Sequence, residues 1–240
     1  MRGIRFIQIP TSLLAQVDAS VGGKLGVDLD HHKNMVGVFK QPDAVFIYTA
    51  FIKTLPYRQL QSGYAEMLKH HLIADKEAWL ATKDMKDLTG LTEGDWIEKS
   101  IQIKNKVVGE DPEEKGRRKV LNFGHTIGHA LESLLLSSDR PMTHGDAVAI
   151  GMVCESHLSY QLGHLTEEEV TEIRDHVLRI FGHKYKSIPS TEKIIAAMQF
   201  DKKNSNGIIS FSLLDAIGCG SYNKTVTDQQ IEKAIQWYKG

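Results

Sequence analysis

Two stretches, 120–136 and 147–162, are apolar on nearly every face of a helix, a pattern that suits helices enclosed by other elements. They predict a mainly α fold built around buried central helices. Amphipathic segments flank them. Residues 58–74 place Leu60, Tyr64, Met67, Leu68 and Leu72 close to the 3.6-residue period, and 96–108 repeat it with Ile97, Ile101, Ile103, Val107 and Val108. Thr166-Glu167-Glu168-Glu169 and Thr227-Asp228-Gln229-Gln230 read as capping boxes that open two further helices, the first running to about Phe181.

The first 48 residues are different: glycine-rich and β-like, with strands expected at 5–10 and 44–48. Between them lie an apolar stretch (13–21), Gly22-Gly23-Lys24-Leu25-Gly26 and the polar His31-His32-Lys33-Asn34. Two strands make no stable sheet by themselves, so this region reads as the edge of something larger. A short strand or hairpin arm is expected at 207–214. The chain divides accordingly into 1–53, a remnant of an α/β sheet, and 54–240, a helical domain.

Composition narrows the function. With 29 basic and 30 acidic side chains in 240 residues, no global field attracts nucleic acid, and an anion site must come from local clustering. No apolar run approaches the roughly 20 residues of a membrane span, and no secretory signal opens the chain. Cys154 and Cys219 are too few for a disulfide framework or a cysteine-rich zinc site. A cytoplasmic protein with a small-molecule partner is expected.

Four polar clusters interrupt the buried-looking helices. In Asn122-Phe123-Gly124-His125-Thr126-Ile127-Gly128-His129, two histidines four apart share a helix face, as metal-binding pairs do. Without an intervening glutamate the spacing by itself favours two core histidines bonded to neighbours. Thr143-His144-Gly145-Asp146 stands at a helix entrance, where Thr143 suits an N-cap. In Glu66-Met67-Leu68-Lys69-His70, spacing alone favours a solvated Glu66–Lys69 pair, with Glu66 and His70 a second ligand-like pair. Together Glu66, His125 and His144 offer one carboxylate and two imidazoles, a set that suits a catalytic zinc with an open position. Lys24, Lys33, Lys104, Arg117, Arg118, Lys202 and Lys203 form the fourth cluster. Converging, they would hold phosphate and carboxylate; the run Glu113-Glu114-Lys115-Gly116-Arg117-Arg118 equally suits solvated surface.

The segment from Ile9 to Lys24 (IPTSLLAQVDASVGGK) resembles the signature of the 3-dehydroquinate synthase family. Lys33-Asn34, Gly63 to Lys69, Asn122 to Glu132, His144 to Met152 and Asp201-Lys202-Lys203-Asn204 match the same family in the same order, so the resemblance covers essentially the whole chain. It implies conversion of 3-deoxy-arabino-heptulosonate 7-phosphate to 3-dehydroquinate and phosphate, with NAD and a divalent metal, zinc or cobalt. Glu66, His125 and His144 would be the metal ligands. Lys24, Asn34, Lys69, Lys104, Arg118, Asn122, His129 and one of Lys202 or Lys203 would hold the substrate. Thr11, Ser12, Asp18, Lys24, Lys33 and Thr54 match positions that contact the nicotinamide cofactor. Arg2 matches an arginine that one subunit of a homodimer lends to its partner. Because the family regenerates NAD in each turnover, the implied activity is that of a lyase.

One departure is an absence. In the family a nucleotide-binding region of roughly a hundred residues, with a glycine-rich turn for the pyrophosphate, precedes Arg2. Gly22-Gly23 is no such turn, so this polypeptide by itself is expected to keep the metal and substrate-anion site and to lack catalysis. Leu25, His31-His32 and Asp146 replace the family's usual threonine, small residues and glutamate. Rival readings are other sugar-phosphate cyclases, whose substrates lack the carboxylate, metal-dependent polyol dehydrogenases, and a non-catalytic domain fragment.

Overall fold

A computed structural model describes residues 4–29, 32–136, 138, 141–182, 188–199 and 209–240, except the side chains of 28, 29 and 32–35. The fold is mainly helical with small sheets. In chain order come β1 (Ile7–Gln8), a wide π-type turn (Ala15–Ala19), β2 (Lys24–Leu29), β3 (His32–Phe39), β4 (Ala44–Val45), α1 (Tyr57–Ala74), α2 (Lys76–Thr82) and α3 (Trp96–Glu110). A 3-10 turn (Arg117–Asn122), α4 (His125–Leu135), α5 (His144–Gln161), α6 (Glu167–Phe181), α7 (Thr191–Gln199), β5 (Phe211–Ala216), β6 (Cys219–Lys224) and α8 (Asp228–Lys239) follow.

Helix α5 is the centre. It packs against α1, α4, α6, α8 and β5, and residues 145–159 are buried on every side, as all-round apolarity requires. Its start is set locally: Thr143 Oγ1 accepts from the Asp146 amide at 3.2 Å, and the Asp146 carboxylate accepts from the Thr143 amide at 3.4 Å. The same reciprocal cap opens α6 at Thr166/Glu169 and α8 at Thr227/Gln230.

The stretch 120–136, expected as one helix, is broken in two. Gly124 adopts φ +79°, a left-handed conformation natural to glycine, and α4 starts afresh at His125. The buried Glu155 carboxylate on α5 accepts from the Gly124 amide at 2.5 Å and the Ile127 amide at 3.1 Å, so a side chain thirty residues away caps this helix. The helices also touch through backbone. A Cβ on Gly151 would lie 1.9 Å from the Gly124 carbonyl oxygen, and one on Gly145 2.3 Å from Ser62 Cα. Close approach of α4 and α1 to α5 therefore depends on glycine.

The expected strands at 5–10 and 44–48 shrink to β1 and β4, which pair in parallel, Ile7 with Ala44 and Gln8 with Val45. Sequence reading missed the antiparallel β2–β3 hairpin, whose Gly26–Gly37 pair and bulge between Val27 and Leu29 blur the alternation. β5 and β6 form a second hairpin, docked on α1 through the Gly218 amide and Leu72 carbonyl at 2.8 Å. No helix among the described residues is long and apolar enough to cross a membrane.

A polar seam runs behind α1. Tyr64 Oη bonds His176 Nε2 at 2.8 Å and His176 Nδ1 bonds the Lys83 carbonyl at 2.8 Å, which fixes the neutral tautomer with Nδ1–H donating and Nε2 accepting. Burial pushes His176 and His71 down to about 4. Between that value and about 6.5 the unfolded chain binds the extra protons, so stability present above pH ~6.5 is lost as pH falls towards ~4. The expected loss is of the order of 3 kcal/mol per histidine, read from urea unfolding between pH 7 and 4. His176→Gln should flatten the profile; a wild-type stability indifferent to pH over this range would contradict the assignment.

Candidate metal centre and anion site

The 3.6-residue period puts Glu66, Lys69 and His70 on one face of α1. That face looks at the ends of α4 and α5 on one side and at the π-type turn and α3 on the other. Glu66 is fully buried and Lys69 is 2% exposed, so this is not the solvated pair that spacing favours. Glu66 Oε1 lies 3.3 Å from His125 Nε2 and 3.2 Å from His144 Nε2, while Lys69 Nζ donates to Oε2. Each histidine is the first residue of its helix. His125 Nδ1 bonds the Phe123 carbonyl at 3.0 Å and His144 Nδ1 faces Glu132 Oε2 at 3.4 Å, which leaves both Nε2 atoms turned towards the same carboxylate oxygen. Donor atoms of Glu66, His125 and His144 lie within 4.8 Å of one another. Two imidazole nitrogens and one carboxylate so converged fit a divalent metal that keeps a coordination position for another ligand.

Charges alternate away from this point. Lys69 Nζ also lies 3.9 Å from Asp18 Oδ1, and Lys104 Nζ donates to the Asp18 carboxylate and carbonyl, both at 2.6 Å. Burial alone would raise the Glu66 carboxyl, but the Lys69 ammonium and His125 hold it well below the usual range. Burial and Glu66 raise Asp18, and Lys104 and Lys69 outweigh them. Burial lowers Lys104 and, against the pull of Glu66, His125, whereas Glu132 and Glu66 overcome burial at His144 and raise it to about 9. His70 brings a ring nitrogen within 4.8 Å of carboxylate oxygens of Asp18 and Glu66. Its Nδ1 bonds Ser100 Oγ at 2.7 Å, and burial holds it neutral.

Of the other expected residues, His129 stands beside this centre and the rest make contacts of their own. The His129 ring stands 5.0 Å from His125 and 6.0 Å from His144. Lys24 pairs with Glu114, whose carboxylate also accepts from Asn122 Nδ2 at 2.9 Å. Arg118 is buried and donates to the Pro112 carbonyl at 2.7 Å and the Gly22 carbonyl at 3.0 Å. Arg117 points elsewhere, to the Gly220 carbonyl at 3.2 Å. Ser12 Oγ accepts from the Ala15 amide at 3.3 Å at the start of the π-type turn that presents Asp18; Thr11 beside it is exposed. Thr54 is exposed and donates to the Phe51 carbonyl at 3.2 Å. Arg2, Lys202 and Lys203 lie outside the described residues, as do the side chains of Lys33 and Asn34.

Sequence reading missed three carboxylates. Glu132 carried a signal, being seven residues past His125 and three past His129 on one face of α4. Glu114 carried none: within a charged run it adopts φ +59° and turns inward, while its neighbours Glu113 and Lys115 remain an exposed pair. Glu155 reads from sequence as one more residue of a buried helix.

Comparison with known proteins extends the geometry. The fold is that of two cyclase structures: a 2-epi-5-epi-valiolone synthase from Streptomyces hygroscopicus with NAD+ and Zn2+ bound (TM-score 0.87, 26% identity, 99% of this chain and 67% of that one) and a 2-deoxy-scyllo-inosose synthase complexed with carbaglucose-6-phosphate, NAD+ and Co2+ (TM-score 0.82, 26% identity, 98% and 68%). The family model described as 3-dehydroquinate synthase C-terminal matches residues 63–204, and its N-terminal counterpart matches 1–62. The chain belongs to the 3-dehydroquinate synthase family. It is 40% identical over 240 residues to the 3-dehydroquinate synthase of Parabacteroides distasonis, covering 99% of this chain and 68% of that protein. It is 42% identical over 229 residues to that of Nitrobacter hamburgensis, covering 90% of this chain and 60% of that protein.

Proposed function

We propose that this chain carries the metal- and substrate-binding part of a 3-dehydroquinate synthase, which converts 3-deoxy-arabino-heptulosonate 7-phosphate to 3-dehydroquinate and phosphate. The supporting observation is the meeting of His125 and His144 on one oxygen of Glu66, from three helices, beside Lys69 and Lys104. In this reading residues 1–53 belong to a nucleotide-binding unit and 54–240 to the metal-binding domain.

Glu66, His125 and His144 hold zinc or cobalt, which when bound supplies a Lewis acid that acidifies substrate hydroxyls. Thr11, Ser12, Asp18, Lys24, Lys33 and Thr54 face NAD, which when bound supplies a hydride acceptor regenerated within the cycle. The protein's own groups do the rest. Lys24, Asn34, Lys69, Lys104, Arg118 and one of Lys202 or Lys203 anchor phosphate and carboxylate, holding one flexible substrate in a fixed pose. His129 and Asn122 orient the hydroxyls, and the His129 imidazole can take or return a proton. Lys69 and Lys104 already stand paired with Glu66 and Asp18; an incoming anion adds to those pairs or replaces them. A cytoplasmic homodimer, with Arg2 reaching the neighbouring subunit's site, completes the reading.

Zinc titration followed by binding of substrate analogues tests it. One zinc per chain is expected, lost in His125→Ala, together with binding of a phosphate- and carboxylate-bearing analogue that weakens at least tenfold when the carboxylate is removed. Indifference to the carboxylate would favour another sugar-phosphate cyclase; zinc retention in His125→Ala would overturn the metal centre.

A further inference from the structure

His144 is strung between two carboxylates, its Nε2 3.2 Å from Glu66 Oε1 and its Nδ1 3.4 Å from Glu132 Oε2. Glu132 itself is buried, on α4 two turns beyond His125 and facing the start of α5. An imidazole that ligates a metal gives up one proton and keeps one N–H, so its other partner decides which nitrogen offers the lone pair. At His125 the Phe123 carbonyl makes that choice, accepting from Nδ1 at 3.0 Å and leaving Nε2 for Glu66. At His144 the group facing Nδ1 is the Glu132 carboxylate, at 3.4 Å.

We propose that Glu132 is a positioning residue of the metal centre: it accepts the Nδ1–H of His144, fixing the tautomer that presents Nε2 beside His125 Nε2 and Glu66. The proposal rests on the metal reading above and adds to it a fourth side chain that touches neither metal nor substrate. A carboxylate has an advantage over a carbonyl here. Its charge makes the imidazole a stronger donor, and its rigid place on α4 couples the aim of His144 to the packing of α4 on α5. A Glu132 carboxylate oxygen also falls within 4.8 Å of a His129 ring nitrogen.

The test compares Glu132→Gln, whose amide oxygen still accepts from Nδ1–H, with Glu132→Leu, which fills the space and accepts nothing. Zinc affinity is read by competition with a chromophoric chelator, ligand geometry by the visible spectrum of the cobalt-loaded protein, and folding by thermal melting. Glu132→Leu should bind zinc about 10–100-fold more weakly with an altered cobalt spectrum, the range typical of outer partners of metal ligands. Glu132→Gln should recover most of the affinity and the wild-type spectrum. Equal zinc affinity in the two folded variants would overturn the proposal. Glu66→Gln and His125→Ala run alongside: if they lose zinc and Glu132→Leu does not, the positioning role fails while the metal centre stands; if they keep zinc, the centre itself is wrong.

Discussion

Glu66→Gln is expected to abolish stoichiometric zinc binding and to destabilise the fold at once. The carboxylate is the meeting point of both imidazoles and the nearest anion to a lysine that is 2% exposed. Removing a ligand should weaken zinc by more than 100-fold, beyond the roughly 10–100-fold effect of losing an outer partner. Removing the charge leaves Lys69 with Asp18 at 3.9 Å as its remaining close anion. Breaking a buried pair from one side costs about 3 kcal/mol or more, because the surviving charge stays desolvated. The two effects separate in Glu66→Gln/Lys69→Met, which should recover most of the stability and none of the zinc affinity. Urea unfolding and chelator competition on the three proteins give the answer. Normal zinc stoichiometry in Glu66→Gln would place the ion elsewhere.

Gly151→Ala is expected to cost about 3 kcal/mol and to weaken zinc binding although it alters no ligand. In an exposed helix the same change gains about 1 kcal/mol, since alanine is the better helix former. Here the new Cβ would sit 1.9 Å from the Gly124 carbonyl oxygen, a backbone atom that cannot rotate aside. Overpacking typically costs 1–3 kcal/mol, and a backbone-to-backbone clash falls at the upper end. Relief requires α4 to move off α5. His125 is the first residue of α4 and His144 the first of α5, so that movement separates the two imidazoles. Gly109→Ala on α3 is the control, because a Cβ there meets nothing within 4 Å; it should be neutral or stabilising by up to about 1 kcal/mol. Similar effects at Gly151 and Gly109 would mean that helix propensity, not interhelical contact, governs both.

Much of the site was legible in the residues themselves. Motif resemblance picked out Glu66, His125 and His144, and their donor atoms do converge. The histidines' places at helix starts were partly foreseeable, since the Thr143–Asp146 cap is a contact across three residues. The Glu66–Lys69 pair shows the limit. Its spacing is that of countless solvated pairs, and what makes it buried is the seating of Asp18, His125 and His144 from distant segments around the same face of α1.

Short-range interactions, then, are what this sequence determines unaided: the apolar period of α1 and α3, the all-round apolarity of α5, and the threonine caps of α5, α6 and α8. Each is settled within one or two helical turns, by hydrogen bonds and side-chain burial that do not need the rest of the chain. Tertiary structure alone decided where the helix over 120–136 breaks, which carboxylate caps α4, that Glu114 turns in between Lys24 and Asn122, and that Glu132 reaches His144. Those outcomes depend on glycine contacts that let backbones touch and on partners dozens of residues away. A local period carries no information about which distant partner will close on it.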